Sequence, residues 1–335
     1  MPLVCQKKRA YRTHFRIFNP DRKSIGAILI KAFASKLNLN HAALAGPLLM
    51  FTAAFLFAVL GGLIKALGPS FRVWDIAFYR FGCGLVILLA AFGWRKNPFS
   101  GHNTRLLIIR GITGCAAFLS LVIAIRLIPI STAMVLFYSF PAFAALLSPL
   151  IFREAITKAE IVCVFIALCG VAVLFDFSLE VAMFGQVMAV VAGFFAGLTV
   201  AIIKKLRDKN GSVTIYLYFC LLGTVITLPS YMAAPQIPTI RIEWLIVGGI
   251  VFTSIFAQLI MNQGFKYCKS WEGGLFLTSE LIFTSIIGIV LFCEIVTWHF
   301  WVGSFLIFAS AVLLNRSNTL KNSVESIHNT NRSSK

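Results

Sequence analysis

Ten apolar stretches, each close to the thickness of a bilayer, constrain this chain more than any other feature of its sequence. A hydrocarbon core about 30 Å thick needs roughly 20 apolar residues when a helix crosses it. The stretches are continuous, and they are far longer than the ~10 alternating residues of a membrane β-strand. The sequence therefore predicts an all-α membrane protein with ten transmembrane helices. The predicted spans are 46–67, 74–94, 106–125, 130–152, 157–175, 182–203, 213–233, 244–264, 273–293 and 298–314.

The overall composition excludes a water-soluble protein. Soluble domains are about 45–50% apolar and about 25% charged, whereas this chain of 335 residues is 59% hydrophobic and 13% charged. The short connections leave no room for a soluble catalytic domain. The eight cysteines are scattered and form no C-x-x-C pair, so we expect no disulfide framework, metal site or cofactor.

The positive charge of the chain indicates its topology. The formal net charge is +18, and 24 of the 30 Lys and Arg residues fall on one side if the N-terminus is cytoplasmic and the loops alternate. Cytoplasmic loops carry an excess of Lys and Arg, so both termini are predicted to be cytoplasmic. The charge then reflects topology and attraction to anionic lipid, and we expect no nucleic-acid partner.

Two terminal segments flank the predicted membrane region. Residues 1–45 form a basic N-terminal arm, and residues 316–335 form a Ser- and Asn-rich tail that we expect to be disordered. Apolar residues recur at helical spacing within 24–37, so part of the arm could lie as a helix on the inner leaflet. A mobile solvated arm is the alternative, and a later start codon would leave part of it untranslated.

The membrane region contains an internal repeat with a shift of 140 residues. Glu154 falls on Glu294, Thr157 on Thr297, and the first five spans fall on the last five, which defines repeats at 46–176 and 182–315. Because five is odd, the second repeat enters the membrane from the opposite side. The chain is therefore predicted to consist of two inverted five-helix repeats. Transporters use this symmetry and bind substrate between the repeats, near the midplane.

Three segments carry a resemblance to a known family. They are "FYRF" at 78–81, "IPISTAMVLFYSFPAFAALLSPLIFREAIT" through the fourth span, and "KSWEGGLFLTSELIFTSIIGIVLFCEIVT" through the ninth. With these segments the chain resembles the drug/metabolite transporter superfamily, and within it the EamA type. The resemblance implies a ten-helix transporter of small metabolites or drugs with a central cavity. In that family the fourth and ninth helices commonly end in Glu, which matches Glu154 and Glu294. The long basic arm departs from the usual short N-terminus.

Glu280 is the sharpest candidate for substrate binding or ion coupling. It lies seven residues into the ninth predicted span, roughly 10 Å deep at 1.5 Å per residue. A carboxylate at that depth usually faces a cavity or a partner. Ser279 lies beside it and Thr284 follows one turn later, so both are further candidates. A structural hydrogen bond between helices is the alternative role for Glu280.

Two arginines also lie within predicted spans. Arg80 is roughly 9 Å from the outer surface, so it could face the same cavity as Glu280. The alternatives are that it extends to the outer headgroups or pairs with Asp75. Arg110 lies closer to the inner surface, and we expect its side chain to extend to the inner headgroups.

The remaining candidates are weaker. Cavity-lining positions are predicted at Tyr79, Ser139, Gln258 and Asn262. Glu154 and Glu294 end equivalent helices on opposite sides of the membrane, which favours a structural or gating role. Pro141 is expected to bend the fourth helix and free a carbonyl group.

Together these features predict a secondary transporter of a small amino-acid-like, nucleotide-derived or drug-like metabolite. A channel and a membrane-embedded enzyme are the alternatives, although no catalytic constellation lies at membrane depth. The expected partners are a small-molecule substrate and the lipid bilayer, and a homodimer is left open. We expect a multi-pass protein of the bacterial inner membrane.

Overall fold

The computed structural model of this chain describes residues 42–92, 99–152, 158–174, 180–207, 209–267 and 276–313. Most of the basic arm, the C-terminal tail, Thr157 and Glu154 lie outside this range.

All the regular structure in these residues is helical. Seven of the described helices are long and apolar enough to cross a membrane, and three further apolar helices, which end at Leu174, Phe292 and Leu313, are shorter. The helices are α1 (Ala42–Ala66), α2 (Val73–Phe92), α3 (Thr104–Leu127), α4a (Ile130–Phe137), α4b (Phe140–Phe152), α5 (Lys158–Leu174), α6 (Glu180–Arg207), α7 (Ser212–Ala233), α8 (Arg241–Tyr267), α9 (Ser279–Phe292) and α10 (Trp298–Leu313).

The fourth and ninth predicted spans are each interrupted once in the described residues. Helix α4a ends at Phe137 and α4b begins at Phe140, while α9 begins only at Ser279, after a turn at Thr278. A continuous apolar stretch does not reveal such a break in the sequence, because the stretches on both sides of the break are largely apolar. Residues 130–147 still form one candidate membrane span despite the break, and the bend expected at Pro141 lies directly after that break.

Both breaks are stabilised by the same hydrogen bond. Ser139 Oγ donates to the Leu136 carbonyl at 2.7 Å, and Ser279 Oγ donates to the Phe276 carbonyl at 2.6 Å. At the first break the Ser139 N–H also donates to the Leu136 carbonyl, at 3.1 Å, so the hydroxyl adds a second, local bond where the regular helix stops. Pro141 follows the first break, but the equivalent position in α9 is Leu281. The serine, and not the proline, is therefore the feature that the two breaks share.

Helix α2 contains one wide turn. Residues Tyr79–Cys83 form a π-helical turn between Val73–Phe78 and Gly84–Phe92. Such a turn holds an extra residue and changes the direction of the side chains on either side of it, often at a functional site. Arg80 lies within it and is buried.

Small residues allow α6 to approach the break in α4. A Cβ atom on Gly193 would lie 2.9 Å from both the Phe137 carbonyl oxygen and Ser139 Oγ. A Cβ atom on Gly197 would lie 2.7 Å from the Phe140 carbonyl oxygen. The Gly-x-x-x-Gly pair therefore makes an intramolecular contact, as small-residue pairs in membrane helices commonly do.

Helices α5 and α10 contact each other through positions that the repeat relates. Gly170 packs against the backbone of Gly303, and Ser310 Oγ donates to the Cys163 carbonyl at 2.6 Å. A shift of 140 converts Cys163 into Gly303 and Gly170 into Ser310, so the two contacts exchange. Exchange of this kind is expected where two copies are related by a two-fold axis.

The outer surface of the bundle is strongly apolar. Phe165 in α5 and the repeat-related Phe305 in α10 are 67% and 70% exposed. Large apolar side chains at such exposure suit contact with lipid tails, since a soluble protein rarely exposes extended apolar patches.

We predict that Gly197→Ala destabilises the fold. The added methyl group would overlap the backbone of α4b, and overpacking costs about 1–3 kcal/mol. The free energy of unfolding in mixed micelles is the measurement. Gly248→Ala is the matched control, because nothing lies within 4 Å of its Cβ position; it should gain up to about 1 kcal/mol from helix propensity. Equal effects of the two substitutions would contradict this packing.

Candidate functional site

A central cavity is enclosed by helices from both repeats. It holds about 970 Å³ of space outside protein atoms, with the open solvent at its mouth included. Among the described residues, its lining comes from α1–α4 and α6–α9 together with Leu277, which directly precedes the break before α9. Most of the lining is apolar. Its polar side chains are Arg80, Arg110, Tyr138, Thr199, Gln258 and Glu280.

The π turn of α2 directs Arg80 into this cavity. Its Nε donates to Ser254 Oγ at 2.6 Å, and its guanidinium carbon lies 3.8 Å from the centre of the Phe118 ring. The residue is only 4% exposed, so it does not extend to the headgroups. Asp75 instead binds Arg72, with two 3.0 Å hydrogen bonds from that guanidinium. Arg80 therefore lines the cavity, and in the described residues it neither extends to the headgroups nor pairs with Asp75.

Arg110 also lines the cavity, which corrects the expectation that it extends to the inner headgroups. Its side chain is 1% exposed, and its guanidinium carbon lies 4.2 Å from the centre of the Phe219 ring. Gly114, one turn further along α3, leaves the space: a Cβ there would lie 2.9 Å from Arg110 Nη1. The side chain therefore points along α3 away from the N-terminal end of the helix. Gly114 at i+4 is the sequence signal that could have indicated this.

Glu280 forms a hydrogen-bonded unit with Tyr138, which sequence reasoning missed. Tyr138 Oη lies 2.7 Å from Glu280 Oε2 and 2.6 Å from the Leu277 carbonyl oxygen. The tyrosine has one hydroxyl proton and can donate it to one acceptor at a time. Both contacts can be hydrogen bonds at the same time only when Glu280 is protonated: Tyr138 then donates its proton to the Leu277 carbonyl and accepts the proton of Glu280. The repeat aligns Tyr138 with Thr278, which lies two residues before Glu280. This alignment is the sequence signal that could have indicated that Tyr138 lies near Glu280.

The other predicted substrate-binding residues do not line the cavity. Tyr79 Oη donates to the Gln236 carbonyl at 2.8 Å, and the Ser139 and Ser279 hydroxyls are used at the helix breaks. Thr284 and Asn262 are both fully buried. The Thr284 hydroxyl and Asn262 Oδ1 have no hydrogen-bond partner among the described residues. Of the eight candidates, the cavity brings together Glu280, Arg80 and Gln258.

Glu294 caps the beginning of α4a from across the fold. Its Oε1 accepts a 2.5 Å hydrogen bond from the Ile130 backbone N–H. Its Oε2 accepts bonds from the backbone N–H and the hydroxyl of Ser131, at 3.1 and 2.6 Å. Lys65 Nζ lies 3.6 Å from Oε1 and also donates to the Ile128 carbonyl at 2.8 Å. The first free N–H groups of a helix are a good binding place for a carboxylate.

The site shows no metal chemistry within the part of the chain that the structure describes. No group of three or more His, Cys, Asp or Glu side chains lies close enough there to hold an ion. The arrangement of the cavity is suited to binding, because it combines two cations and one carboxyl group with aromatic walls.

Comparison with known proteins places the chain among transporters. The model of the EamA-like transporter family matches residues 44–176 and 183–316, so it recognises two copies of one unit. The pseudopaline exporter CntI of Pseudomonas aeruginosa is 25% identical over 81% of this chain and 96% of its own length. The riboflavin transporter of Vibrio cholerae is 22% identical over 85% of this chain and 97% of its own.

More distant similarities agree. Human solute carrier family 35 member G1 is 21% identical over 78% of this chain and 76% of its own. A protein of known crystal structure matches with a TM-score of 0.59 at 17% identity, covering 84% of this chain and 98% of that one. A structural likeness at that identity supports the fold alone.

We predict that Glu294→Gln destabilises the protein more than Glu243→Gln does. The amide would place an N–H group against the N–H groups of α4a, and loss of a buried charge-assisted hydrogen bond costs about 1.5–3 kcal/mol. Glu243 is the matched control, because it accepts a 2.7 Å bond from Thr239 N–H at an exposed helix start. Its substitution should cost about 1 kcal/mol or less. The measurement is unfolding in mixed micelles, and equal losses would contradict the cap.

Proposed function

Because the chain belongs to the EamA-like transporter family, we propose that it is a secondary transporter that moves a small metabolite by alternating access. That it is an integral, multi-pass membrane transporter follows from its family, its transporter relatives and its apolar helices. The sequence contains no G-x-x-x-x-G-K-[ST] nucleotide loop. An ion gradient, or exchange against a second solute, therefore supplies the driving force.

The cavity between the two repeats is the observation that carries this proposal. A binding place at the interface of two similar units can be exposed to either side when the units change their relative orientation. The breaks at Tyr138–Ser139 and Thr278–Ser279 lie at the cavity and supply points where each helix can bend. We assign Arg80, Glu280 and Gln258 to substrate binding or coupling, and we add Arg110 and Tyr138.

Glu280 is the proposed coupling residue. It is 8% exposed, and its side-chain hydrogen-bond partner in the described part of the chain is Tyr138, which accepts a bond from Glu280 only when the carboxyl group carries a proton. A carboxyl group that is protonated in one state of the cycle and ionised in another moves a proton across the membrane. The proposed coupling ion is therefore the proton.

The membrane arrangement proposed here has ten crossings, with both termini in the cytoplasm of a bacterial cell. The shorter helices α5, α9 and α10 complete the two five-helix repeats. In this arrangement Lys65 and Glu294 lie together at the outer side, where they have a structural or gating role. The relatives named above have different cargoes, so their names do not narrow the proposed cargo. It stays an amino-acid-like, nucleotide-derived or drug-like metabolite.

We predict that cells expressing the protein change the distribution of at least one small metabolite between cells and medium. The compound that changes most then serves as the probe in proteoliposomes, where a carrier gives saturable flux and counterflow. Open-pore conductance in a planar bilayer would indicate a channel instead. Conversion of the compound into a product would indicate an enzyme.

Glu280→Gln tests the coupling with the same probe. The amide cannot exchange a proton, so we expect an imposed pH gradient to lose its effect on net flux, while exchange of probe for probe continues. Tyr138→Phe should shift the pH profile of the net flux, because Glu280 loses the hydroxyl group that is its hydrogen-bond partner. Glu243→Gln is the control for a carboxylate outside the cavity. If net flux in Glu280→Gln follows the pH gradient as in the wild type, Glu280 is not the coupling residue.

A further inference from the structure

The two arginines in the cavity have no acidic partner among the described residues. The ion pairs found there are Lys65 with Glu294 and Arg72 with Asp75. Arg80 and Arg110 are 4% and 1% exposed, so water does not solvate them as it does a surface arginine. A buried charge without a counter-charge is strongly unfavourable, and such residues within membrane segments usually mark a substrate or ion pathway.

Aromatic rings contact both guanidinium groups, and within the described residues Arg110 keeps N–H groups without a hydrogen-bond partner. Phe219 is near both of them, with its centre 4.2 Å from the guanidinium carbon of Arg110 and 5.6 Å from that of Arg80. A ring face attracts a cation but accepts no ordinary hydrogen bond. Arg80 donates from its Nε to Ser254, whereas Nε and Nη1 of Arg110 have no hydrogen-bond partner among the residues that the structure describes. The Arg110 group is therefore held in place with unused donors.

The chemistry of these groups defines what they bind. Guanidinium groups present parallel N–H donors that match the two oxygens of a carboxylate or phosphate. The walls around them are apolar and include Phe57, Phe118, Phe137 and Phe140. We propose that Arg80 and Arg110 form the oxyanion subsite of the cavity, and that the cargo is an organic anion with an apolar or aromatic body. This inference rests on the proposed transport function and specifies its substrate class.

Glu280 is compatible with an anionic cargo. Its carboxyl group is occupied by Tyr138, and it forms no ion pair with either arginine in the described part of the chain. When Glu280 carries a proton, the ionisable groups among the polar lining residues leave two positive charges in the cavity. A cationic cargo would meet this field unfavourably.

A thermal-shift assay on the purified full-length protein in detergent tests the subsite. The probes are 3-phenylpropionate, phenyl phosphate, the neutral 3-phenylpropionamide and the cationic 3-phenylpropylamine. We expect the two anions to raise the melting temperature, and the amide and the amine to leave it unchanged, because only a bound ligand stabilises the folded state. The carboxylate and phosphate arms separate the two forms of oxyanion.

Arg110→Gln should weaken anion binding by at least about thirtyfold, the effect of removing one partner of a buried charge pair. Arg110→Lys should retain part of it. Arg105→Gln is the matched control, because Arg105 is exposed at the start of the same helix. Without ligand, Arg110→Met should be at least as stable as the wild type, because it removes an uncompensated charge.

Three results would overturn the proposal. They are stabilisation by the amine or amide instead of the anions, anion shifts that survive Arg110→Gln, and no anion shift combined with a less stable Arg110→Met protein. If added phosphatidylglycerol replaces the soluble anions in the Arg110-dependent shift, the subsite belongs to a lipid headgroup and the cargo assignment falls. The assay measures binding without flux. If the anions bind without the expected dependence on Arg110 but counterflow is intact, the oxyanion subsite is wrong and the transport function is retained. If the anions bind and no flux is found, the transport function is contradicted and the subsite is retained.

Discussion

The requirement that every backbone polar group be satisfied within the protein controls this fold. Lipid offers no hydrogen bonds, so a chain crosses it as unbroken helix, and irregular backbone is tolerated only where protein or a cavity surrounds it. The two breaks in this bundle obey that rule. Ser139 and Ser279 each bind a carbonyl group three residues earlier, and both breaks lie inside the bundle next to the cavity. The positions where the helices are irregular are therefore the positions where the molecule has room for a ligand.

The two repeats contain the same serine-stabilised helix break, but the residues around the two breaks differ. The serines at the breaks are equivalent, and the contacts of α5 with α10 exchange under the repeat. The residues beside the serines are not equivalent, since Tyr138 corresponds to Thr278 and Leu281 to Pro141. The shared residues maintain the architecture, and the divergent ones supply the polar contact between Tyr138 and Glu280. Symmetry thus accounts for the frame of the cavity, and departure from symmetry accounts for its chemistry.

The helical class and the repeat could be predicted from the sequence, because length and apolar continuity are properties of single segments. Arg80, Glu280 and Gln258 could be placed by their depth, since polar side chains are rare there. Depth alone misplaced Arg110, because it does not give the direction of a long side chain; Gly114 at i+4 was the sequence signal for that direction, and the space over it also depends on the packing of Phe219. Pro141 indicated a bend in the fourth helix, but the hydrogen bonds that the Ser139 and Ser279 hydroxyls make at the two breaks could not be predicted, because the stretches on both sides of each break are largely apolar.

The position of Phe219 has a consequence for how this site can change over evolutionary time. One ring supports both guanidinium groups, so its replacement alters the two cations together, and the effects of substitutions at the three positions will not add. While Phe219 is retained, a substitution of one arginine also affects the setting of the other, so the two arginines are not expected to vary independently. Relatives that carry cargo of another charge would then be expected to differ at all three positions as a set. Such joint variation would distinguish subgroups that share the helical frame.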